Sequence, residues 1–167
     1  FRGTSTTATG DPIFNITGDL TTSGGSTFFS GSRASGANPT FNIAGSVDLS
    51  TGTSYAGNTY TSNTPICTFN LTGAASNNLK LPTGLAYNSG AAWTWNISAG
   101  RTITLQSNVE MGGTASSCIF TNNGTLIMGT YTFPAVTSAT ASFVNASGAT
   151  LKTAHLSGLS TTAATGA

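Results

Sequence analysis

The sequence predicts an all-β fold, a right-handed parallel β-helix (β-solenoid) of about six coils with roughly 23–28 residues each. Three observations predict this fold class. A short phrase with an aromatic anchor recurs along the chain, apolar and polar residues alternate within each copy, and only 5% of the 167 residues are charged. The low charge excludes long helices and coiled coils, because these take about half of their residues from Ala, Glu, Lys, Leu and Arg.

The repeated phrase sets the period of the predicted coils. Its clearest copies read FNITG, FNIAG and FNLTG, and the chain has six anchors: Phe14, Phe41, Phe69, Trp95, Phe120 and Phe143. One coil cannot bury its inward side alone, whereas stacked coils bury a continuous core. We therefore expect residues 14–167 to form six coils and residues 1–13 to belong to a preceding coil. The connection rule for parallel strands favours right-handed winding.

Each coil is predicted to contain a strand at the anchor and a second strand later in the period. In the second copy Phe41, Ile43, Val47 and Leu49 alternate with polar residues, which places the apolar set on one face. The second strands are expected at 27–29, 55–60, 79–81, 103–105 and 131–133, and Gly-containing turns at 23–25, 50–52, 88–90, 112–113 and 123–124. In the last two copies Asn122 and Asn145 replace the apolar residue two positions after the anchor, so the register is least constrained there.

Charge and hydropathy exclude two classes of partner. A net charge of +1 cannot supply the basic stripe that nucleic-acid binding needs. No apolar run approaches the roughly 18 residues of a membrane-spanning helix, so no membrane insertion is expected.

The two cysteines test the predicted register. Cys67 and Cys118 each lie two residues before an anchor, and Trp93 holds the same position in the coil between them. Two coil spacings amount to about 9.6 Å, beyond the roughly 7 Å limit for the Cα atoms of a disulfide. We predict two buried thiols that flank Trp93. The alternative is a disulfide, because paired cysteines are common in secreted chains.

Asparagine follows the anchor in the first four copies. Asn15, Asn42, Asn70 and Asn96 are expected to stack on the outward side and to form hydrogen bonds from coil to coil, as amide ladders do in cross-β structures. The alternative is glycosylation, because five asparagines match the acceptor pattern: Asn15, Asn70, Asn96, Asn123 and Asn145.

No catalytic, metal or cofactor site is expected. The four acids are Asp11, Asp19, Asp48 and Glu110, and their offsets from the anchors bring no pair securely together. His155 has no Ser or Cys partner at a recognisable spacing, and the chain has no CxxC pair that would suggest a zinc site.

Two kinds of surface binding remain as alternatives. Threonine triplets at 51–53, 102–104 and 130–132 resemble rows that order water at an ice or crystal surface, but their offsets from the anchors differ. Four tyrosines lie outside the anchor strand, where they are expected either to stack on sugars or to cover corners of the core: Tyr55, Tyr60, Tyr87 and Tyr131.

The FN(I/L)xG phrases, NGTL at 123–126 and SGATL at 147–151 resemble the β-strand-repeat segments of giant bacterial surface and adhesin-like proteins, which are especially common in Bacteroidota. The resemblance covers nearly the whole chain. It implies a secreted, extracellular protein of the cell surface that is much longer than this segment.

We therefore expect a non-catalytic structural rod or stalk segment of a surface adhesin or filament. Its expected partners are adjoining coils of the same chain or neighbouring copies in a filament, with surface glycans as a further class. The alternative function is a discrete secreted protein that binds carbohydrate, ice or a crystal surface through one solenoid face.

Overall fold

Twelve β-strands in two parallel sheets make up the described part of the protein, which confirms the all-β solenoid. A computed structural model describes residues 11–24, 38–51, 66–82, 92–109, 118–133 and 141–154, and these residues contain no helix. The first sheet consists of β1 (Ile13–Ile16), β3 (Thr40–Ile43), β5 (Ile66–Leu71), β7 (Ala92–Ile97), β9 (Cys118–Asn122) and β11 (Ala141–Asn145). The second consists of β2 (Leu20–Thr21), β4 (Val47–Asp48), β6 (Ser76–Lys80), β8 (Thr102–Leu105), β10 (Thr125–Gly129) and β12 (Thr150–Thr153).

The strands stack in six coils, each of which contributes one strand to each sheet. Every strand pairs in parallel with the corresponding strand of the next coil. All six anchors stand in one register: Phe14, Phe41, Phe69, Trp95, Phe120 and Phe143. Asn122 pairs with Ile97 on one side and Asn145 on the other, so the register continues through the two weaker copies. Right-handed winding stays a prediction.

The repeated phrase encodes a strand followed by a corner. The four apolar residues of the second copy all point into the core, but a bend at residues 44–45 separates β3 from β4, so they lie on two strands. Glycine is required at this corner: a Cβ on Gly45 would overlap the carbonyl oxygen of Gly18 in the coil below. In the next coil Gly73 has a φ of 97°, a conformation that residues with a side chain rarely adopt.

The second strands lie partly where sequence analysis expected them. The expected strands at 79–81 and 103–105 overlap β6 and β8. The expected strand at 131–133 is wrong, because the second strand of that coil is β10. Phe133 nevertheless points inward, with its ring 4.9 Å from that of Phe120 in an edge-on arrangement. The expected strands at 27–29 and 55–60 lie outside the described residues.

The core lies between the two sheets and consists of columns that run along the stack. Aromatic anchors form one column, with ring centroids 4.8 Å apart for Phe14 and Phe41, 5.2 Å for Phe41 and Phe69, and 4.2 Å for Phe69 and Trp95. Ile43, Leu71 and Ile97 form the neighbouring column and are fully buried. Half-buried residues end these columns at the outermost coils: Phe14, Ile16, Leu20, Phe143 and Leu151. The solenoid therefore offers its flat outer faces and its corners as candidate sites.

Candidate functional site

Asparagine side chains form a hydrogen-bonded ladder on the outside of the first sheet. Nδ2 of Asn42 donates to Oδ1 of Asn15 at 2.8 Å, Asn70 donates to Asn42 at 2.9 Å, and Asn96 donates to Asn70 at 2.9 Å. The predicted coil-to-coil bonding of these four residues is confirmed. The ladder fixes the amide orientations, while glycosylation stays a prediction.

A column of threonines runs beside this ladder. Thr40, Thr68 and Thr94 pair in register on three consecutive coils, each two positions before its Asn and on the same outward side. This column was not predicted, because the expected threonine rows were Thr-x-Thr triplets. The signal was present as TFN, TFN and TWN at the anchors of copies two, three and four. Hydroxyl and amide groups therefore form two parallel rows that repeat about every 4.8 Å.

The outward residues of the first sheet carry no charge, and we call this surface the uncharged face. Large aliphatic side chains are exposed on it: Ile13 at 65%, Ile66 at 45%, Ile119 at 40% and Val144 at 45%. Its remaining described members are Asn15, Thr40, Asn42, Thr68, Asn70, Thr94, Asn96, Thr121 and Ser142. The uncharged face thus combines fixed polar rows with exposed aliphatic groups.

The outward residues of the second sheet form a face that does carry charge, which we call the charged face. Thr21, Asp48 and Lys80 form one column on it, and Nζ of Lys80 lies 3.9 Å from Oδ2 of Asp48. The hydrogen bond from the Ser50 hydroxyl, with further contributions from the Ser50 backbone N–H and from Lys80, lowers the pKa of Asp48 below its usual value of 3.8. Lys152 lies further along the same face, beside Ile127.

The other two described acids cap backbone groups of the next coil. Oδ1 of Asp11 accepts a hydrogen bond from the backbone N–H of Asn38 at 2.7 Å, and Oδ1 of Asp19 accepts one from Ser46 at 2.7 Å. Asp48 lies two positions further along the strand direction than Asp19, in β4. Asp11, Asp19 and Asp48 therefore satisfy separate structural contacts. Glu110 and His155 lie outside the described residues.

Arg101 is a fully buried cation at a corner of the fourth coil. Its guanidinium crosses the third coil and donates to two carbonyl oxygens of the second: Nη1 to Ala44 at 2.9 Å and Nη2 to Gly45 at 2.6 Å. Gly73 makes room for it, because a Cβ there would lie 3.0 Å from Nη1. Burial lowers the pKa of Arg101, but a guanidinium stays protonated in proteins.

Sequence analysis missed this corner entirely. Arg101 follows the glycine of the fourth phrase, and nothing in the repeat indicates that a side chain at this position reaches back two coils. Its Nε has no hydrogen-bond partner among the described residues. The arrangement ties three coils together and contains no described carboxylate that would make it an acid–base pair.

Asn122 is a second buried polar residue, at a position where the earlier coils have an aliphatic side chain. Its Nδ2 donates to Oδ1 of Asn145 at 2.7 Å and to the carbonyl of Thr150 at 2.9 Å, and its Oδ1 accepts from the backbone N–H of Gly124 at 3.1 Å. The amide is therefore satisfied on both sides. It joins the fifth coil to the sixth.

Cys67 and Cys118 are both buried thiols, as predicted. Cys67 pairs with Trp93 in the register, and Trp93 pairs with Cys118, so the tryptophan separates them in one column. The alternative of a disulfide is wrong for this register.

The threonine triplets do not form a common row. Thr102 lies opposite Ser76 and Thr125, and Thr104 lies opposite Asn78 and Ile127, all on the charged face. Thr53 lies outside the described residues, as do Tyr55, Tyr60 and Tyr87. Tyr131 is exposed just after β10.

Within residues 11–154, the parts of the chain that the structure describes contain no group of three or more His, Cys, Asp or Glu that could hold a metal ion. The same parts contain no helix long and apolar enough to cross a membrane.

Comparisons of the chain with protein-family models, with curated proteins and with solved structures found no match.

Proposed function

We propose that this chain is a non-catalytic structural rod segment of an extracellular bacterial surface protein, of adhesin or filament type. The observation that carries the proposal is the continuous stacking: both sheets continue through all six coils with every strand in parallel pairing, although the register shifts between Ile127 and Gly129 where β10 pairs with β12. A stack of this kind lengthens by about 4.8 Å for each coil, so six coils span about 29 Å.

Several contacts oppose bending or separation of the coils. The asparagine ladder links the first four coils, Arg101 links the second to the fourth, and Asn122 links the fifth to the sixth. Backbone ladders run along both sheets over the same length. Together they support a stiff spacer whose length depends on the number of coils.

The extracellular location is proposed from the resemblance of the FN(I/L)xG phrases to bacterial surface-protein repeats. An antibody raised against this segment would test it, applied to intact source cells and to denatured extract. We expect labelling of the cell surface and a polypeptide far larger than this 167-residue segment. A freely secreted polypeptide of the same size as the segment would contradict the stalk proposal and would favour a discrete protein that binds carbohydrate, ice or a crystal surface.

The rod itself is tested by adding coils. Duplication of residues 41–119 inserts three periods and places the second copy in register, because it ends directly before Phe120. We expect the maximum dimension in small-angle X-ray scattering to increase by about 14 Å. The control is an insertion of the same composition in scrambled order, which should give a disordered loop; equal scattering profiles for the two would contradict the rod.

A further inference from the structure

Over the first five coils, the exposed aliphatic residues of the uncharged face are arranged symmetrically about the third coil, while Val144 in the sixth coil has no counterpart. One outward column reads Ile13, Thr40, Thr68, Thr94 and Ile119 over the first five coils, so it is the same in both directions. Ile66 is exposed on the central coil of this set, at the start of β5. Such a pattern suits a surface that meets a second copy of itself, because a two-fold interface must be self-complementary.

We propose that the uncharged face pairs with the same face of a second copy in an antiparallel arrangement. The two-fold axis lies in the interface and runs along β5. This axis reverses the order of the coils, so Ile13 of one copy faces Ile119 of the other, and Ile66 faces Ile66. Thr40 meets Thr94 across the interface.

The distribution of charged side chains supports a second copy of the chain as the partner of the uncharged face. Five of the six described charged side chains lie off the uncharged face, at corners or on the charged face: Asp19, Asp48, Lys80, Arg101 and Lys152. Asp11 lies at the edge of the uncharged face, in the column of Asn38 and Ile66, where its carboxylate accepts a hydrogen bond from the backbone N–H of Asn38. Pairing therefore leaves five of these charges in water and brings only Asp11 near the interface, and the removal of a charge from water would cost much more than the removal of a hydroxyl or an amide. The asparagine ladder also holds its amides in place before pairing, which reduces the entropy lost on association.

The area indicates weak pairing. Five strands about 4.8 Å apart, with four to six residues of about 3.3 Å each, give a patch on the order of 400 Å² per copy. The total of about 800 Å² lies below the roughly 1,200 Å² of stable complexes. A single segment should therefore pair reversibly at high concentration, and a longer rod should pair more tightly. The proposal does not depend on the rod function, because it concerns a property of this chain alone.

Sedimentation velocity of the 167-residue chain, from micromolar to millimolar concentration, tests the pairing. We expect a reversible monomer–dimer equilibrium that depends only weakly on salt, because among the described residues Asp11 alone places a charge at the edge of the face. Ile119→Glu should weaken dimerisation by about tenfold or more, since it places a carboxylate against an aliphatic side chain. Ile127→Glu is the matched control: it introduces the same charge in the same coil on the charged face and should leave the equilibrium unchanged.

A double variant tests the antiparallel register. With Ile13→Lys and Ile119→Glu in one chain, each new lysine faces the new glutamate of the other copy, and dimerisation should return in a salt-sensitive form. In a parallel arrangement like charges would meet, and no recovery would occur. Thr68→Arg, at the centre, provides a second disruptive variant, and circular dichroism with thermal unfolding checks that each variant keeps the fold.

Three results would overturn the proposal. These are a monomer at every concentration, equal effects of Ile119→Glu and Ile127→Glu, and no recovery in the double variant. A monomer that inhibits ice recrystallisation, with the inhibition lost in Thr68→Arg, would also overturn it and assign the same face to an ordered water surface. None of these results would affect the test of the rod by added coils.

Discussion

Asn122 is a buried amide at a position where the earlier coils have Ile or Leu. Ile97 occupies the equivalent position in the coil before it and is fully buried. Asn122 is equally buried, but its amide bonds Asn145, Thr150 and Gly124. An unsatisfied group at that depth would be costly, whereas a fully satisfied amide costs little and orients the coils that it joins.

We expect Asn122→Leu to lower the free energy of unfolding by about 1–3 kcal/mol, although it restores the common residue of the repeat. The reason is that the buried backbone N–H of Gly124 loses its acceptor, and that Asn145 and the carbonyl of Thr150 lose their donor. Urea unfolding followed by circular dichroism measures the change. Ile97→Leu, a swap of similar volume in the same column, is the control and should cost less than about 1.5 kcal/mol. A stabilised Asn122→Leu variant would contradict the hydrogen-bond assignment.

A second prediction at the scale of a residue concerns Arg101. Arg101→Met should lower the stability by about 2–4 kcal/mol, because the carbonyls of Ala44 and Gly45 lose a charged donor. Arg101→Lys keeps the charge, but an ammonium group cannot donate to both carbonyls with the geometry of a guanidinium fork, so it should also be destabilising.

The control for Arg101 is Lys152→Met, which removes an exposed cation and should change the stability by less than about 0.5 kcal/mol. Chemical denaturation of the three variants at neutral pH makes the comparison. If Arg101→Lys proved as stable as the wild type, the fork geometry would have no structural role.

At the scale of the element, the three described acids each bond to a neighbouring coil or to a turn. Asp19 and Asp11 cap backbone N–H groups of the next coil, and Asp48 lies opposite Lys80 between β4 and β6. In a chain with only four acids, three therefore bond to the adjacent coil or to a turn. A carboxylate is the strongest acceptor for such a backbone group.

The pH dependence of Asp48 follows from its lowered pKa. The carboxylate is favoured in the folded state, so its contribution to stability is complete above the usual value of 3.8 and is lost as the pH falls through the lowered folded value. We expect the difference in melting temperature between the wild type and Asp48→Asn to be constant from neutral pH down to about pH 5 and to shrink below 3.8.

Lys80→Gln separates the causes of the Asp48 effect. It removes the ion pair but leaves the hydrogen bonds from Ser50, which contribute more to the lowered pKa. It should therefore have a smaller effect on the melting temperature than Asp48→Asn. A larger effect of Lys80→Gln would show that the ion pair dominates.

The two thiols also belong to one element, the inward column of the first sheet. Both are buried in adjacent positions about Trp93. We expect a thiol reagent to label neither Cys67 nor Cys118 in the native protein. As denaturant is added, both thiols should become labelled over the same range of concentration. Mass spectrometry of the labelled protein separates this outcome from early labelling of one residue, which would mean that the two coils open independently.

For the whole molecule, stability should decrease from the central coils towards the ends. Phe69 and Trp95 are at most 1% exposed, whereas the outermost anchors Phe14 and Phe143 are only half-buried. Each coil contacts mainly its neighbours, and among the described residues the first and the sixth coil have a stacked neighbour on one side only. Hydrogen exchange should give the slowest amides in β5 and β7 and the fastest strand amides in β1 and β11; uniform exchange across the first sheet would contradict this gradient.

The sequence by itself determined the period, the six anchors, the outward asparagine ladder and the inward column of Cys67, Trp93 and Cys118. Each follows from a repeat in which identical positions stack, because alternation along a strand decides which side a residue faces and the period decides what lies above it. The corner after each phrase was missed, because the alternation of apolar residues resumes in phase on its far side, as from Ile43 to Val47.

Only the tertiary structure decided the positions that depart from the repeat. Arg101 bonds a coil two periods away, Asn122 fills an aliphatic position with a satisfied amide, and Thr40, Thr68 and Thr94 align beside exposed aliphatic residues on one face. Periodicity describes only contacts between equivalent positions. The reach of a long side chain, the satisfaction of a buried polar group and the composition of a whole face depend on residues at different positions in different coils, which come together only in the folded stack.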